Sequence, residues 1–139
     1  MSSGRCRLLA GLVAAWLASC STAPAEQVRT RKADDEIAQA LAGRVAGPPH
    51  RCISNFPNTQ ARVIDDWTIL YDEGRTIYVQ NPKGGCPGIG NGSRTLVARQ
   101  VGTSQMCEGD INQVVDLRSG IGGPTCVFGP FVPYTKAKS

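Results

Sequence analysis

The sequence is poor in the side chains on which catalytic and metal sites most often depend. Its 139 residues include a single histidine, His50, with two tryptophans, three tyrosines and three phenylalanines. No two of its six cysteines have the short spacing with which one loop supplies two zinc ligands, so we expect no structural metal. Nucleophilic catalysis requires a nucleophile, a base and a group that orients the base. A lone histidine directly after Pro48 and Pro49 does not supply them, and we expect neither catalysis there nor a cofactor.

The sequence also lacks an apolar run long enough to cross a membrane, for which about 20 residues are needed. The longest candidate, residues 8–19, follows two arginines and has the length of the apolar part of an export signal. It ends in Leu17-Ala18-Ser19-Cys20, which is typical of a bacterial lipoprotein signal. We therefore predict a signal peptide over residues 1–19 and a diacylglycerol attached to the thiol of Cys20.

A second cleavage site competes with this one. Ala23-Pro24-Ala25 fits the small-x-small pattern of ordinary secretion, which would release a periplasmic protein that begins at Glu26. If Cys20 is lipidated instead, Ser21 at the next position resembles the signal for transfer to the outer membrane. The predicted location is then the inner leaflet of the outer membrane, facing the periplasm, with the lipid as the link to that membrane.

Charge gives no sign of a nucleic-acid partner. The whole chain carries a formal net charge of +4, but loss of the signal peptide leaves thirteen basic residues against eleven acidic ones. A nearly neutral surface is not the electrostatic footprint of a protein that binds nucleic acid. We expect the membrane, through the N-terminal lipid, and an envelope protein to be the partners.

The cysteines predict two disulfides. Cys6 leaves with the signal and Cys20 takes the lipid, and an even number of cysteines is left in an exported domain. These four are Cys52, Cys86, Cys107 and Cys126. They allow three connectivities, of which we favour the nested one, with Cys52 joined to Cys126 and Cys86 joined to Cys107. Its outer bridge would tie the first strand of the domain to the last.

Residue patterns divide the mature chain into four parts. These are a tether over residues 20–33, a short helix and connection over 34–47, a β domain over 48–135 and a tail over 136–139. Ile37, Ala40 and Leu41 fall on one helical face, whereas the chain after Cys52 alternates with a period of two. Strands are expected near Cys52 and over residues 67–72, 76–80, 95–101, 111–117 and 125–134. The predicted fold is mainly β, a small antiparallel barrel or sandwich of about six strands with a short N-terminal helix.

Two turns separate the predicted strands. Asp72-Glu73-Gly74-Arg75 predicts a hairpin turn with Gly74 at positive φ, and Cys107-Glu108-Gly109-Asp110 predicts a similar turn. Pro130 and Pro133 cannot donate to a ladder, so the last strand is expected to lie at an edge or to bend. Exposed aromatic residues beside such an edge would favour a protein partner that adds a strand.

Three pairs of acidic side chains keep an enzyme open as an alternative. A hydrolase that acts on envelope polysaccharide needs two carboxylates that flank a cleft. The candidate pairs are Asp65 with Asp66, Asp72 with Glu73, and Glu108 with Asp110. All three occupy strand ends or turns, where acidic residues serve turn geometry, and we favour that structural role.

The sharpest binding hypothesis concerns the glycine-rich loop over residues 81–94. Lys83, Gly84, Gly85 and Arg94 have the composition of a backbone nest that holds an anion between two cations. The dinucleotide fingerprint and the phosphate-binding sequences Gly-Lys-Ser and Gly-Lys-Thr do not occur. A flexible connection pinned by Cys86 is the alternative that we favour, because clustered glycines most often mark loops.

Several segments carry a resemblance to a known family. They include Leu41-Ala42-Gly43-Arg44-Val45-Ala46-Gly47-Pro48-Pro49, Ile64-Asp65-Asp66-Trp67-Thr68-Ile69-Leu70-Tyr71, Gly84-Gly85-Cys86-Pro87-Gly88 and Cys126-Val127-Phe128-Gly129. In these segments the chain resembles small proteobacterial envelope proteins of unassigned function. The resemblance implies a bacterial envelope setting and brings no catalytic residues. With the lipoprotein signal, it predicts a lipid-anchored envelope protein that acts by binding or structural association and not by catalysis.

Overall fold

The structure is a computed structural model that describes residues 29–55, 59–98 and 104–138. The predicted signal peptide, the lipidation site Cys20 and the alternative cleavage site after Ala25 lie outside the described residues. None of the helices in the described part is long and apolar enough to cross a membrane.

The described residues form one helix and ten strands, and every strand pairing among them is antiparallel. The elements are α1 (Arg31–Leu41), β1 (Arg44–Ala46), β2 (Cys52–Ser54), β3 (Gln60–Asp65), β4 (Thr68–Glu73), β5 (Thr76–Gln80), β6 (Arg94–Ala98), β7 (Gln105–Cys107), β8 (Ile111–Asp116), β9 (Gly122–Val127) and β10 (Phe131–Lys136). They make three sheets, with the strand orders β1-β10-β5-β4-β3, β2-β7 and β6-β8-β9. The predicted mainly β fold with a helix and two disulfides is confirmed, as a sandwich-like arrangement and not as a closed barrel.

The helix α1 begins earlier than the predicted start at Asp34, because Thr30 caps it. The Thr30 hydroxyl accepts a hydrogen bond from the amide of Ala33 at 3.3 Å, and Ala33 is buried. At the other end, Ala40 and Leu41 pack against the five-stranded sheet. The predicted apolar face of the helix therefore finds the docking surface that so short a helix needs.

The five-stranded sheet carries a separate apolar cluster on each face, because successive side chains of a strand point to opposite sides. On one face, Leu70, Ile77 and Val79 pack with the end of α1. On the other, Ile69, Tyr71 and Phe131 of the same sheet pack with Ile53, Met106 and Phe128. The two smaller sheets, β2-β7 and β6-β8-β9, form the second layer on this side. The rings of Tyr71, Phe128 and Phe131 meet edge to face, with centroids 5.6–6.2 Å apart, and form the centre of the core.

Two disulfides are present, but the favoured pairing is wrong. Cys52 is joined to Cys107, and Cys86 is joined to Cys126. Cys52 and Cys107 face each other directly across β2 and β7, with their Cα atoms 4.0 Å apart. Cys126 lies instead on β9, in the other small sheet, where it ties the glycine-rich loop to the second layer.

The sequence patterns predicted most of the strands and missed three of them. The predicted turn over Asp72-Glu73-Gly74-Arg75 is confirmed, since Glu73 pairs with Thr76 and Gly74 has a φ of 59°. The strands β1, β3 and β7 were not predicted. The predicted last strand is two strands, β9 and β10, and Pro130 lies in the bend between them. Of the two predicted alternatives, the bend is therefore found and the edge is not, because β10, which contains Pro133, lies between β1 and β5.

Candidate binding cleft

A large concave site lies between the two layers, where each presents an edge strand. β3 is at one end of the five-stranded sheet, and β6 is at one end of the three-stranded sheet. Ala61 and Val63 of β3 line one side of the cleft, and all five residues of β6 line the other. We call this site the edge cleft. Its volume of about 620 Å³ is within the usual range of ligand pockets, about 300–1,000 Å³.

The floor of the edge cleft is apolar and rigid. It consists of Ile69, Tyr71, Met106 and Phe128, all of which are buried members of the central core cluster. Burial raises the pKa of the Tyr71 phenol well above its ordinary value, so this side chain stays neutral. None of the described residues that line the cleft is acidic. The site is therefore suited to an uncharged or apolar surface.

Asn112 places one polar group in this apolar surrounding. It lies on β8 opposite Ala98 of β6, lines the edge cleft, and has no exposed surface. Its Nδ2 donates to the carbonyl of Asp110 at 3.2 Å, but its Oδ1 has no hydrogen-bond partner among the described residues. A buried acceptor without a partner costs about 1–3 kcal/mol. Because this oxygen has no exposed surface, a ligand in the cleft would supply an N–H or O–H to it only after the Asn112 side chain turns toward the cleft.

Arg94 is the cationic group of the edge cleft. It is partly buried, and its guanidinium lies so close to Gly88 that a side chain at that position would overlap it. Its charge also acts on Asp116, whose pKa is lowered mainly by hydrogen bonds from the backbone amides of Ser119 and Arg118 and to a lesser degree by Arg94. Arg94 is therefore positioned by the glycine-rich loop and by the turn that follows β8.

The glycine-rich loop does hold an anion, but the anion belongs to this chain. The carboxylate of Asp66 accepts hydrogen bonds from the backbone amides of Gly88 at 2.9 Å and Gly90 at 2.8 Å. The amide of Cys86 donates to the backbone carbonyl of Asp66 at 2.6 Å. The ring of Trp67 covers Gly85, with 3.0 Å between the ring and the place of a Cβ. The loop is thus held by Asp66 and by the disulfide at Cys86.

The two cations of the predicted anion site have different partners. Lys83 Nζ lies 3.0 Å from Glu108 Oε1, whereas Arg94 lies beside Gly88 and acts on Asp116. Gly84 and Gly85 have φ values of 75° and 78°, the left-handed conformation that such a nest requires. An external anion at Lys83, Gly84, Gly85 and Arg94 stays a prediction, since the observed contacts of this loop are internal.

The acidic pairs lie outside the edge cleft, and five of their six side chains, all but that of Glu73, have the structural partners described here. Asp65 Oδ1 accepts the amide of Trp67 at 2.8 Å, and Asp65 Oδ2 lies 3.4 Å from Arg29 Nε. Asp110 Oδ2 accepts the amide of Cys107 at 2.7 Å, which confirms the predicted turn there. Asp66 and Glu108 are engaged as described above, and Asp72 faces Arg62 at 4.0 Å.

His50 is held in the fold by its backbone. Its side chain is exposed, and its backbone amide and carbonyl both bond Phe131, at 2.7 and 2.9 Å. Its ring lies 5.7 Å from the ring of Tyr78, with an angle of 57° between the planes. Within residues 29–55, 59–98 and 104–138, no group of three or more histidine, cysteine or acidic residues is arranged to hold a metal ion.

Comparison with models of protein families, with curated proteins and with solved structures finds no match to this chain. The resemblance to small envelope proteins therefore stays a prediction from the sequence segments that carry it. The site has to be interpreted from its own geometry.

Proposed function

We propose that this protein is a lipid-anchored protein of the bacterial envelope that acts by binding a partner in the edge cleft. The observation that carries the binding part is the unpaired Oδ1 of Asn112, which is fully buried beside the apolar floor of the cleft. Folded proteins seldom leave such an acceptor without a donor. A partner that fills the cleft supplies both the apolar contact and the missing donor.

The envelope location rests on the sequence and on the chemistry of the cysteines. Two disulfides are compatible with an oxidising compartment and rare in the cytosol of most bacteria. The signal that ends at Cys20 supplies both export and an anchor. The first described residue, Arg29, is already fixed to the domain, because its guanidinium donates to the Thr68 hydroxyl at 2.6 Å.

A short link to the lipid follows from that contact. Only residues 21–28 separate Cys20 from Arg29, and an extended chain spans at most about 3.3–3.6 Å per residue. The domain would then stay within roughly 30 Å of the membrane surface. Such a tether suits the capture of a partner that is itself in or near the envelope.

Binding is favoured over hydrolysis because the acidic side chains are already in use. Asp65, Asp66, Asp72, Glu108 and Asp110 each have a backbone or cationic partner. A catalytic pair must instead face a substrate from both sides of a cleft. The edge cleft offers an apolar floor with a few polar side chains, among them Asn112 and Arg94, which is the composition of a recognition site.

The binding claim is tested with a variant that fills the cleft. Ala61 lies on its wall, opposite Tyr71, so Ala61→Trp should block it. Gln60→Trp is the matched control, because Gln60 is exposed on the same strand and points to the other face. Crosslinked pull-down from the native envelope should recover the same partner with wild type and Gln60→Trp and lose it with Ala61→Trp. Equal recovery with all three proteins would refute the edge cleft as the binding site.

The anchoring claim has a separate test. Mass spectrometry of the mature N-terminus should find a lipid-modified Cys20. An unmodified chain that begins at Glu26 would show instead that the protein is secreted into the periplasm.

A further inference from the structure

The edges of the sheets differ in how they are protected. Exposed edge strands invite pairing with other chains, and proteins prevent it with short strands, bulges, prolines or charges. β1 has only three residues, and so have β2 and β7. β3 carries the exposed Arg62 and an irregularity in its register with β4 between Val63 and Asp65. β9 contains Pro124, and its register with β8 also shifts.

β6 has none of these protective features along its length. Five consecutive residues, Arg94 to Ala98, pair with β8 without a shift in register. The strand contains no proline, and Thr95, Leu96 and Val97 favour extended structure. Its one charged side chain, Arg94, lies at the end of the strand with the guanidinium against Gly88. Within the described part of the chain, the outer edge of β6 has no strand partner.

The position of β6 shows that this open edge faces the cleft. Successive side chains of a strand point to opposite sides, so a cleft beside one face contacts alternate residues only. On β3 the cleft touches just Ala61 and Val63, which share a face. On β6 it touches all five residues, as expected when the cleft lies along the backbone edge.

We propose that the edge cleft binds an extended peptide segment, which adds to β6 as a further strand. The proposal rests on the proposed function, since it names the partner of the same site. β6 offers five residues at about 3.3 Å each, so the added segment has about five residues. Its backbone pairs with the free edge of β6, and alternate side chains point toward the apolar floor. An inward side chain near Ala98 donates an N–H or O–H to Asn112 Oδ1 once the Asn112 side chain has turned toward the cleft.

A single segment fits this site better than β6 of a second copy. β3 borders the cleft on the side opposite β6, which limits the width available to the added strand. In a second copy, β6 carries β8 along one side and faces its own β3 across the same cleft. An isolated extended chain has no such neighbours.

The test uses the complete chain with Cys20→Ala and a library of capped five-residue peptides. The peptides carry apolar residues at positions one, three and five, with serine or threonine in place of one of them. NMR should show that bound peptides shift the amide signals of β6 and protect the outward-facing ones from exchange. A bound peptide is then N-methylated at one set of alternate amides or at the other. Methylation of the amides that face β6 should weaken binding by about tenfold or more, and methylation of the other amides should leave the affinity nearly unchanged.

The other outcomes separate a failure of strand addition from a failure of the proposed function. If the peptide binds in the cleft but N-methylation at either set has the same effect, strand addition is wrong and the cleft binds by side-chain contact alone. If no peptide of the library binds while the envelope partner is still lost with Ala61→Trp, strand addition is wrong and the proposed function stands. If the β6 signals shift with protein concentration alone, the occupant is a second copy and the peptide proposal fails. If Ala61→Trp changes nothing either, the proposed function fails as well.

Discussion

The side-chain amide of Gln80 and the backbone of Gly129 bond each other twice. Gln80 Nε2 donates to the Gly129 carbonyl at 2.9 Å, and the Gly129 amide donates to Gln80 Oε1 at 2.8 Å. Both residues are buried. Gln80 thus replaces a strand partner in the bend between β9 and β10, where Phe128 and Phe131 enter the core from either side. The floor of the edge cleft depends on this pair of hydrogen bonds.

Replacement of Gln80 by leucine should therefore be costly. Gln80→Leu leaves the amide and carbonyl of Gly129 buried and unpaired, and we expect a loss of about 2–4 kcal/mol in the free energy of unfolding. Urea denaturation followed by circular dichroism measures it. Gln60→Leu, on the exposed part of β3, should change the same quantity by less than about 0.5 kcal/mol. Equal effects of the two substitutions would contradict the structural role of Gln80.

Asp66 should be replaceable by an external anion. Asp66→Ala frees the amides of Gly88 and Gly90, and we expect a loss of about 1–3 kcal/mol in stability. Phosphate should then raise the Tm of Asp66→Ala more than that of wild type, because the vacated amides can accept an anion. Thermal denaturation with and without phosphate measures the difference. Asp72→Ala removes an acid that does not bond the loop and is the control; if phosphate stabilises it as much as Asp66→Ala, the explanation is wrong.

Strands that are mostly buried were predicted from the sequence, and a strand that is half exposed was missed. β4 is buried on both faces over its first four residues, and β5 alternates between partly and fully buried residues, so apolar side chains such as Leu70 and Ile77 marked both strands. β3 is an edge strand whose first half is exposed, so Gln60–Asp65 shows little alternation in hydrophobicity. The disulfide pairing depends on the register of β2 with β7, two three-residue strands far apart in the chain. Local patterns do not encode such a contact.

The same limit applies to the candidate site. The composition of the glycine-rich loop suggested an anion site at Lys83, Gly84, Gly85 and Arg94, but it gave no sign that the amides of Gly88 and Gly90 bind the Asp66 carboxylate. The edge cleft lies between β3 and β6, which belong to different sheets, and the sequence gives no sign of that proximity. Nothing in the sequence pointed to Asn112 either. Along β8 the more apolar phase contains Ile111 and Val115, yet the structure buries Asn112 and Val114 of the other phase.

The two disulfides should open in a defined order. Cys86 and Cys126 are 0% and 3% exposed, whereas Cys52 and Cys107 are only partly buried. Thiol exchange requires access of the attacking thiolate to the bridge. Mild reduction followed by alkylation and peptide mapping should therefore label Cys52 and Cys107 first. Labelling of Cys86 and Cys126 first, or recovery of Cys52 linked to Cys126 without reductant, would contradict the structure.

Stability should fall at alkaline pH partly because of Tyr71. Burial raises the pKa of its phenol above the ordinary value of 10.0, so the native state holds this proton more tightly than the unfolded chain does. That contribution is complete below pH 10 and is lost as the pH rises above it. Tyr71→Phe cannot ionise there, so its Tm should decline less than that of wild type between about pH 9 and pH 11. Tyr78→Phe should change the profile less, since Tyr78 is not fully buried. Parallel decline of Tyr71→Phe and wild type would contradict this assignment.

The most direct test of the central claim is photocrosslinking from the edge cleft in living cells. A photoreactive amino acid at Val97, which lines the cleft and is 46% exposed, should give a discrete protein adduct. The same group at Val45, which is 62% exposed on β1 and does not line the cleft, is the control and should give none. The adduct from position 97 should disappear when Ala61→Trp fills the cleft. An adduct that survives Ala61→Trp, or one that forms from position 45 and not from position 97, would contradict binding in the edge cleft.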